Sequence, residues 1–91
     1  MSDDRRPPDE RFLVTGALGC IGAWTVASLV REGRPVVAFD LGQDRRRLEA
    51  LMTPAELAAV TFVAGDITDL ALVERSFDDH GITNVIHLAA A

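Results

Sequence analysis

The chain has 91 residues, of which 48% are hydrophobic and 25% charged, and a formal net charge of −5 at pH 7. That length allows one small globular domain and that composition is not that of a disordered chain, while the acidic balance argues against general binding to nucleic acid or to an acidic membrane surface. A single cysteine, Cys20, excludes an internal disulfide and offers no metal-ligand cluster, and no apolar run reaches the roughly 18 residues of a membrane span, so a reducing, cytoplasmic setting is expected.

Met1 to Glu10 is charged, carries two consecutive prolines and has only its first residue apolar, so it reads as a disordered leader whose mixed charges serve solubility. Arg11 to Thr15 is an apolar run expected as the first strand. A helix is expected from about Gly19 to Glu32, with Gly22, Val26, Leu29 and Val30 at the spacing of a buried stripe and Gly33 placed to stop it. Trp24 falls off that stripe and is expected to cover a helix edge or a neighbouring segment.

Pro35 to Asp40 is the second strand, near-continuously apolar from Val36 to Phe39, as in a parallel strand covered on both faces. A short helix follows, with Arg45, Arg46 and Arg47 in its first turn and Leu48, Leu51 and Met52 at helical spacing. Thr53, Pro54 and Glu56 form a capping-box pattern that opens another short turn through Ala59. Val60 to Ala64 is the third strand, closed by Gly65. Asp69 is expected to cap a helix running to about Asp79, with Leu70, Val73 and Phe77 on its packed face, and His80 and Gly81 end it. Asn84 to Leu88 is the fourth strand. Strands alternating with helices through short loops predict an α/β fold with a parallel sheet, right-handed crossovers and the order 3-2-1-4.

The chain is organised around Val14 to Gly22, where an apolar strand breaks into a glycine loop and continues as helix. Gly16 allows the tight turn, Gly19 lets a pyrophosphate approach the backbone, and Gly22 lets the helix pack closely on the strand. Amides from Gly19 to Ile21 would then face the anion with the positive end of the helix dipole behind them. Three glycines at this spacing are a weak signal alone. Here they follow a strand, open a helix, and are followed 18 residues after Gly22 by Asp40 at the end of a second strand, which makes a dinucleotide site the favoured reading.

A carboxylate at that strand tip accepts both ribose hydroxyls of an adenosine and repels a 2′-phosphate, so Asp40 favours NAD over NADP. The competing feature is the run from Arg45 to Arg47, which would neutralise a 2′-phosphate if its loop folded back. Asp66 and Ile67 stand at the same sheet edge, where a carboxylate can accept from the adenine amino group while Ile67 covers the ring; otherwise Asp66 only shapes a turn. His87 reads as a satisfied, partly buried histidine in preference to a catalytic base, and Cys20 as a small apolar filler in preference to a reactive thiol.

Thr15-Gly16-Ala17-Leu18-Gly19-Cys20-Ile21-Gly22, Asp40, Gly65-Asp66-Ile67-Thr68-Asp69 and His87-Leu88-Ala89-Ala90 together resemble the N-terminal half of the extended short-chain dehydrogenase/reductases, the NAD-dependent epimerase/dehydratase family. The resemblance covers about residues 11–91 and implies a Rossmann-type sheet with helices on both faces. It further implies that Gly16, Gly19, Cys20 and Ile21 contact the pyrophosphate, Asp40 the adenosine ribose and Asp66 and Ile67 the adenine, while Leu88, Ala89 and Ala90 line the nicotinamide side. Ala17 stands where the family often has glycine, and Cys20 where it often has an aromatic residue.

Family members carry a serine or threonine, a tyrosine and a lysine downstream of the segment that His87 to Ala90 resembles, with a C-terminal region that holds the substrate. This chain has no tyrosine, and all nine of its basic residues are arginine. The expectation is therefore the NAD-binding portion of an oxidoreductase or epimerase acting on nucleotide sugars or related alcohols, inactive by itself. The alternatives are a stand-alone NAD-binding regulatory module without turnover, and a truncated product that binds nothing well. With strand four as an open apolar edge, either marginal stability as a monomer or self-association through that edge is expected.

Overall fold

The computed structural model describes residues 10–89. Eight elements follow one another: β1 (Phe12–Thr15), α1 (Cys20–Arg31), β2 (Val36–Asp40), α2 (Arg46–Leu51), α3 (Pro54–Ala58), β3 (Val60–Ala64), α4 (Leu70–His80) and β4 (Asn84–His87). The strands form one parallel sheet in the expected order β3-β2-β1-β4, with Phe12 paired to Val36 on one side and to Asn84 on the other. The fourth strand is one residue shorter than expected, although the Leu88 amide still donates to the Thr15 carbonyl at 3.1 Å.

Side chains alternate between the two faces of the sheet, and each face has its own core. Phe12, Val14, Val36 and Ala38 pack with α1 and α2, and Leu48 of α2 closes that layer. Leu13, Val37 and Phe39 pack on the other face against Leu72 and Val73 of α4. Burying a residue the size of Phe39 or Leu13 contributes about 1.5–3 kcal/mol, which makes β1 and β2 the firmest part of the sheet.

Helix α1 buries Gly22, Val26 and Leu29 as its spacing predicted, with Ala23 and Ala27 beside them, and Val30 is half-buried against the same core. Trp24 lies off the stripe at 56% exposure. Gly33, at φ +76°, ends the helix: its amide donates to the Val30 carbonyl while the Arg34 amide reaches Leu29, a Schellman ending. The predicted capping box is present, with Thr53 Oγ1 accepting from the Glu56 amide and Glu56 Oε1 accepting from the Thr53 amide. Arg31 donates to the Leu51 carbonyl and pairs with Glu56, holding α2 and α3 against α1.

Two further expectations change. The packed face of α4 is not Leu70, Val73 and Phe77, because Leu70 is 71% and Phe77 36% exposed. The helix turns Leu72, Val73 and Ser76 toward the sheet instead. Gly65 is the reason: a Cβ there would stand 2.1 Å from Leu72 Cδ2, so the missing side chain is the socket that Leu72 fills. Ser76 is buried at no polar penalty because its hydroxyl donates to the Leu72 carbonyl.

Residues 1–9 of the expected leader lie outside the described residues. Glu10, expected as its last residue, is instead buried with Arg34, whose guanidinium lies 3.7 Å from its carboxylate. A buried carboxylate requires such a partner, and the partner comes from the turn that leads into β2, beside the start of β1.

Candidate functional site

All four strands point their C-terminal ends at one edge of the sheet, and the loops leaving them enclose an open cleft of about 310 Å³. The loop between β1 and α1 forms its floor. Gly16 takes φ +69°, a left-handed conformation that side chains other than glycine resist, and a Cβ on it would stand 2.8 Å from the Ala89 nitrogen. A Cβ on Gly22 would stand 2.0 Å from the Gly16 carbonyl oxygen, so α1 rests directly on the loop. Among the described residues, a Cβ on Gly19 would meet that same oxygen alone, at 3.4 Å, outside its own helix and chain neighbours. The middle glycine therefore has open space where the first and third have contacts.

Gly19 also caps α1, and no side chain caps the helix there; its first turn contains no acidic residue. The positive end of a 12-residue helix thus opens toward the cleft without an internal counter-charge. Cys20 and Ile21, in that first turn, are exposed, and Ile21 is 70% so. The reading of Cys20 as an apolar filler is corrected, because the helix start leaves its side chain outside the core.

Asp40 ends β2 at the centre of the edge. Its Oδ2 accepts from the Leu18 amide at 3.0 Å and its Oδ1 from the Gly42 amide at 2.9 Å. Each oxygen keeps a further lone pair, so the carboxylate can still accept one hydroxyl on each side. Each of the arginines that compete with this reading has a partner of its own, and that of Arg47 lies in the glycine loop. Arg45 stacks 3.7 Å over the Phe62 ring, Arg46 is paired with Asp44 at 2.7 Å, and Arg47 donates to the Leu18 carbonyl at 3.4 Å.

Asp66 does shape a turn. Its Oδ1 accepts from both the amide and the hydroxyl of Thr68, at 2.9 and 2.7 Å, and these bonds hold its carboxyl below the ordinary carboxylate value. It nevertheless remains exposed and lines the cleft beside Ile67, which is half-buried against the α4-side core.

Of the residues expected at the site, Gly16, Gly19, Asp40, Asp66, Ile67, Leu88 and Ala89 meet in the cleft. Cys20 and Ile21 stand at its helix end, Gly22 supports it from below, and Ala90 lies outside the described residues. Phe39, Leu41 and Gly65 also line it. Leu41, 73% exposed immediately after Asp40, could have been singled out by its position, whereas Phe39 and Gly65 read as strand and turn. His87 is exposed overall, against expectation, although its Nδ1 is bonded to the Thr15 hydroxyl at 2.7 Å.

The chain matches the family model of GDP-mannose 4,6 dehydratase over residues 13–91. It is 39% identical over 84 residues to UDP-glucuronate 4-epimerase 2 of Arabidopsis thaliana, a match covering 86% of this chain and 19% of that relative. It is 40% identical over 79 residues to UDP-glucose 4-epimerase of Halalkalibacterium halodurans, covering 87% of this chain and 22% of the relative. The chain thus spans about a fifth of the length of these two relatives. Among solved structures it superposes with a TM-score of 0.77 and 31% identity on the Bordetella bronchiseptica enzyme WbmG in complex with NAD, over 96% of this chain and 27% of that one.

Proposed function

The chain belongs to the NAD-dependent epimerase/dehydratase family of short-chain dehydrogenase/reductases, and on that footing we propose that it is the NAD-binding portion of an epimerase or dehydratase acting on a nucleotide sugar. The observation that carries this reading is the convergence of a capless helix start, an open middle glycine and the Asp40 carboxylate on one cleft. Gly16, Gly19, Cys20 and Ile21 would hold the pyrophosphate, with Gly22 seating the helix. Asp40 would accept the adenosine ribose hydroxyls, Asp66 and Ile67 would hold the adenine, and Leu88, Ala89 and Ala90 would flank the nicotinamide. NAD over NADP follows from Asp40 and from the engagement of Arg45, Arg46 and Arg47 by other groups.

Bound NAD supplies a hydride acceptor and donor; these residues bind and orient it. With neither tyrosine nor lysine in the chain, proton transfer of the kind the family's tyrosine and lysine perform needs groups from outside it, so the 91 residues alone carry out no turnover. Among the described residues no helix is long and apolar enough to cross a membrane. A cytoplasmic setting is part of the proposal and rests on Cys20 as the sole cysteine, which suits a reducing compartment. Among the described residues strand β4 pairs only with β1 and leaves Val85 47% exposed, so self-association through its open edge is part of the same proposal.

The test is calorimetric titration of the chain with NAD, beside an Asp40→Ala control. Binding that the control weakens by about tenfold or more is expected. A folded chain that binds no NAD would refute the reading.

A further inference from the structure

Thr15, the last residue of β1, is 1% exposed, and three nitrogens surround its hydroxyl. The amides of Leu88 and Ala89 lie 3.0 and 3.3 Å from Oγ1, and Nδ1 of His87 lies 2.7 Å from it. A hydroxyl has one proton to give and two lone pairs to offer. Backbone amides can only donate, so the two of them take both lone pairs. The proton then has one destination, Nδ1 of His87, which must be unprotonated to accept it.

We infer that His87 is a positioning residue for the cofactor cleft: a neutral ring with its proton on Nε2, it accepts the Thr15 hydroxyl proton and so keeps Thr15 Oγ1 as a double acceptor that fixes the Leu88–Ala89 turn. The inference rests on the NAD-binding reading for its functional consequence, though not for its geometry. With the other tautomer, Oγ1 would face three donors while its own hydrogen stayed unpaired in a buried position. With no acceptor at position 87, the hydroxyl would rotate toward another oxygen and release one amide. Leu88 shares its N–H with the Thr15 carbonyl at 3.1 Å, so Ala89 is the one that depends on the hydroxyl.

That release matters because the turn is a wall of the cleft and has no slack on its inner side. Leu88 and Ala89 line the cleft, and the Leu88 carbonyl carbon and the Ala89 nitrogen stand 2.9 and 2.8 Å from where a Gly16 Cβ would be. The glycine loop and the turn are thus in direct contact. Moving the turn inward collides with Gly16, and moving it outward widens the site for the nicotinamide end.

Two variants separate acceptor chemistry from ring packing. Asparagine places Oδ1 two bonds from Cβ, as histidine places Nδ1, whereas leucine places a methyl group there. His87→Leu is expected to weaken NAD binding by about tenfold and to speed amide exchange at Ala89, and His87→Asn to restore both to within about twofold of the parent. Imidazole nitrogen spectra of the ligand-free chain, its two histidines told apart by His87→Asn, are expected to show His87 with Nε2 protonated and Nδ1 bare. A protonated Nδ1, or His87→Leu binding NAD as the parent does, would overturn the inference. If the folded parent binds no NAD, the functional reading fails by itself, and the ring spectrum and Ala89 exchange still decide the role of His87.

Discussion

The Leu18 amide donates to Asp40 Oδ2 at 3.0 Å, tying the loop after β1 to the tip of β2. Since the Gly42 amide occupies the other oxygen, Asp40 is held by two donors and needs two acceptors. Asp40→Asn would turn its NH₂ against one of them. It is expected to lose about 1–3 kcal/mol of stability and to weaken NAD binding by about tenfold, close to what Asp40→Ala does. Urea unfolding and NAD titration of the two variants check this; an asparagine variant as stable and as tight as the parent would show that the donor pair does not constrain the side chain.

The three glycines should part company under substitution. Gly22→Ala forces a methyl group within 2.0 Å of the Gly16 carbonyl and is expected to destabilise by about 3 kcal/mol. Gly19→Ala meets one atom among the described residues, at 3.4 Å, and should cost less than about 1 kcal/mol while reducing NAD affinity by about tenfold or more, because its methyl group occupies the approach to the helix start. Thermal melts paired with NAD titration give both numbers. Equal loss of stability in the two variants would contradict the packing.

Acid sensitivity follows from three carboxylates, two exposed and one half-buried. Asp44 is held below its ordinary value by the Arg46 side chain, Glu56 by the Thr53 amide and Asp66 by the Thr68 amide. A carboxyl depressed in the folded state stabilises above its unfolded value, and that contribution is lost as pH falls through the folded one. Stability should therefore decline on acidification below about pH 4. A Glu56→Gln, Asp66→Asn double variant keeps acceptor oxygens but does not titrate there, so its acid slope should be shallower. Parallel slopes in urea midpoints measured across that range would count against this account.

Self-association through β4 has a backbone test. The amides of Asn84 and Leu88 donate to Arg11 and Thr15 of the β1 side, so by alternation those of Val85 and His87 face the open edge. Val85→Pro removes an outward donor without removing a ladder bond. Sedimentation is expected to show concentration-dependent association of the parent that this variant loses; undiminished association would place the contact elsewhere.

Much of this fold could be read from the residues. The apolar runs of β1 and β2, the glycine spacing and the Thr53-Pro54-Glu56 capping box reflect local constraints, and the strand order follows from the alternation of strands and helices that they mark. What could not be read depends on which groups the fold brings together. Leu70, Val73 and Phe77 share a helical spacing, yet the socket at Gly65 selects Leu72, and a periodicity count contains no information about a glycine on another element. Glu10 looked like leader because its partner Arg34 is distant in sequence. His87 could be placed on a strand, but its bond to Thr15 requires the β1–β4 register.

In that register Phe12 pairs with Asn84 and Thr15 with His87, 72 residues apart. As the chain emerges from a ribosome, β1, β2 and β3 can assemble through short crossovers, leaving one side of β1 bare until β4 arrives. With those three strands paired, β4 reaches β1 through the single crossover that carries α4, so the 72-residue separation adds no loop of that length to close. Pairing of β4 also brings Leu88 and Ala89 against Gly16, so a nascent chain would complete this wall of the dinucleotide cleft only once β4 has joined β1.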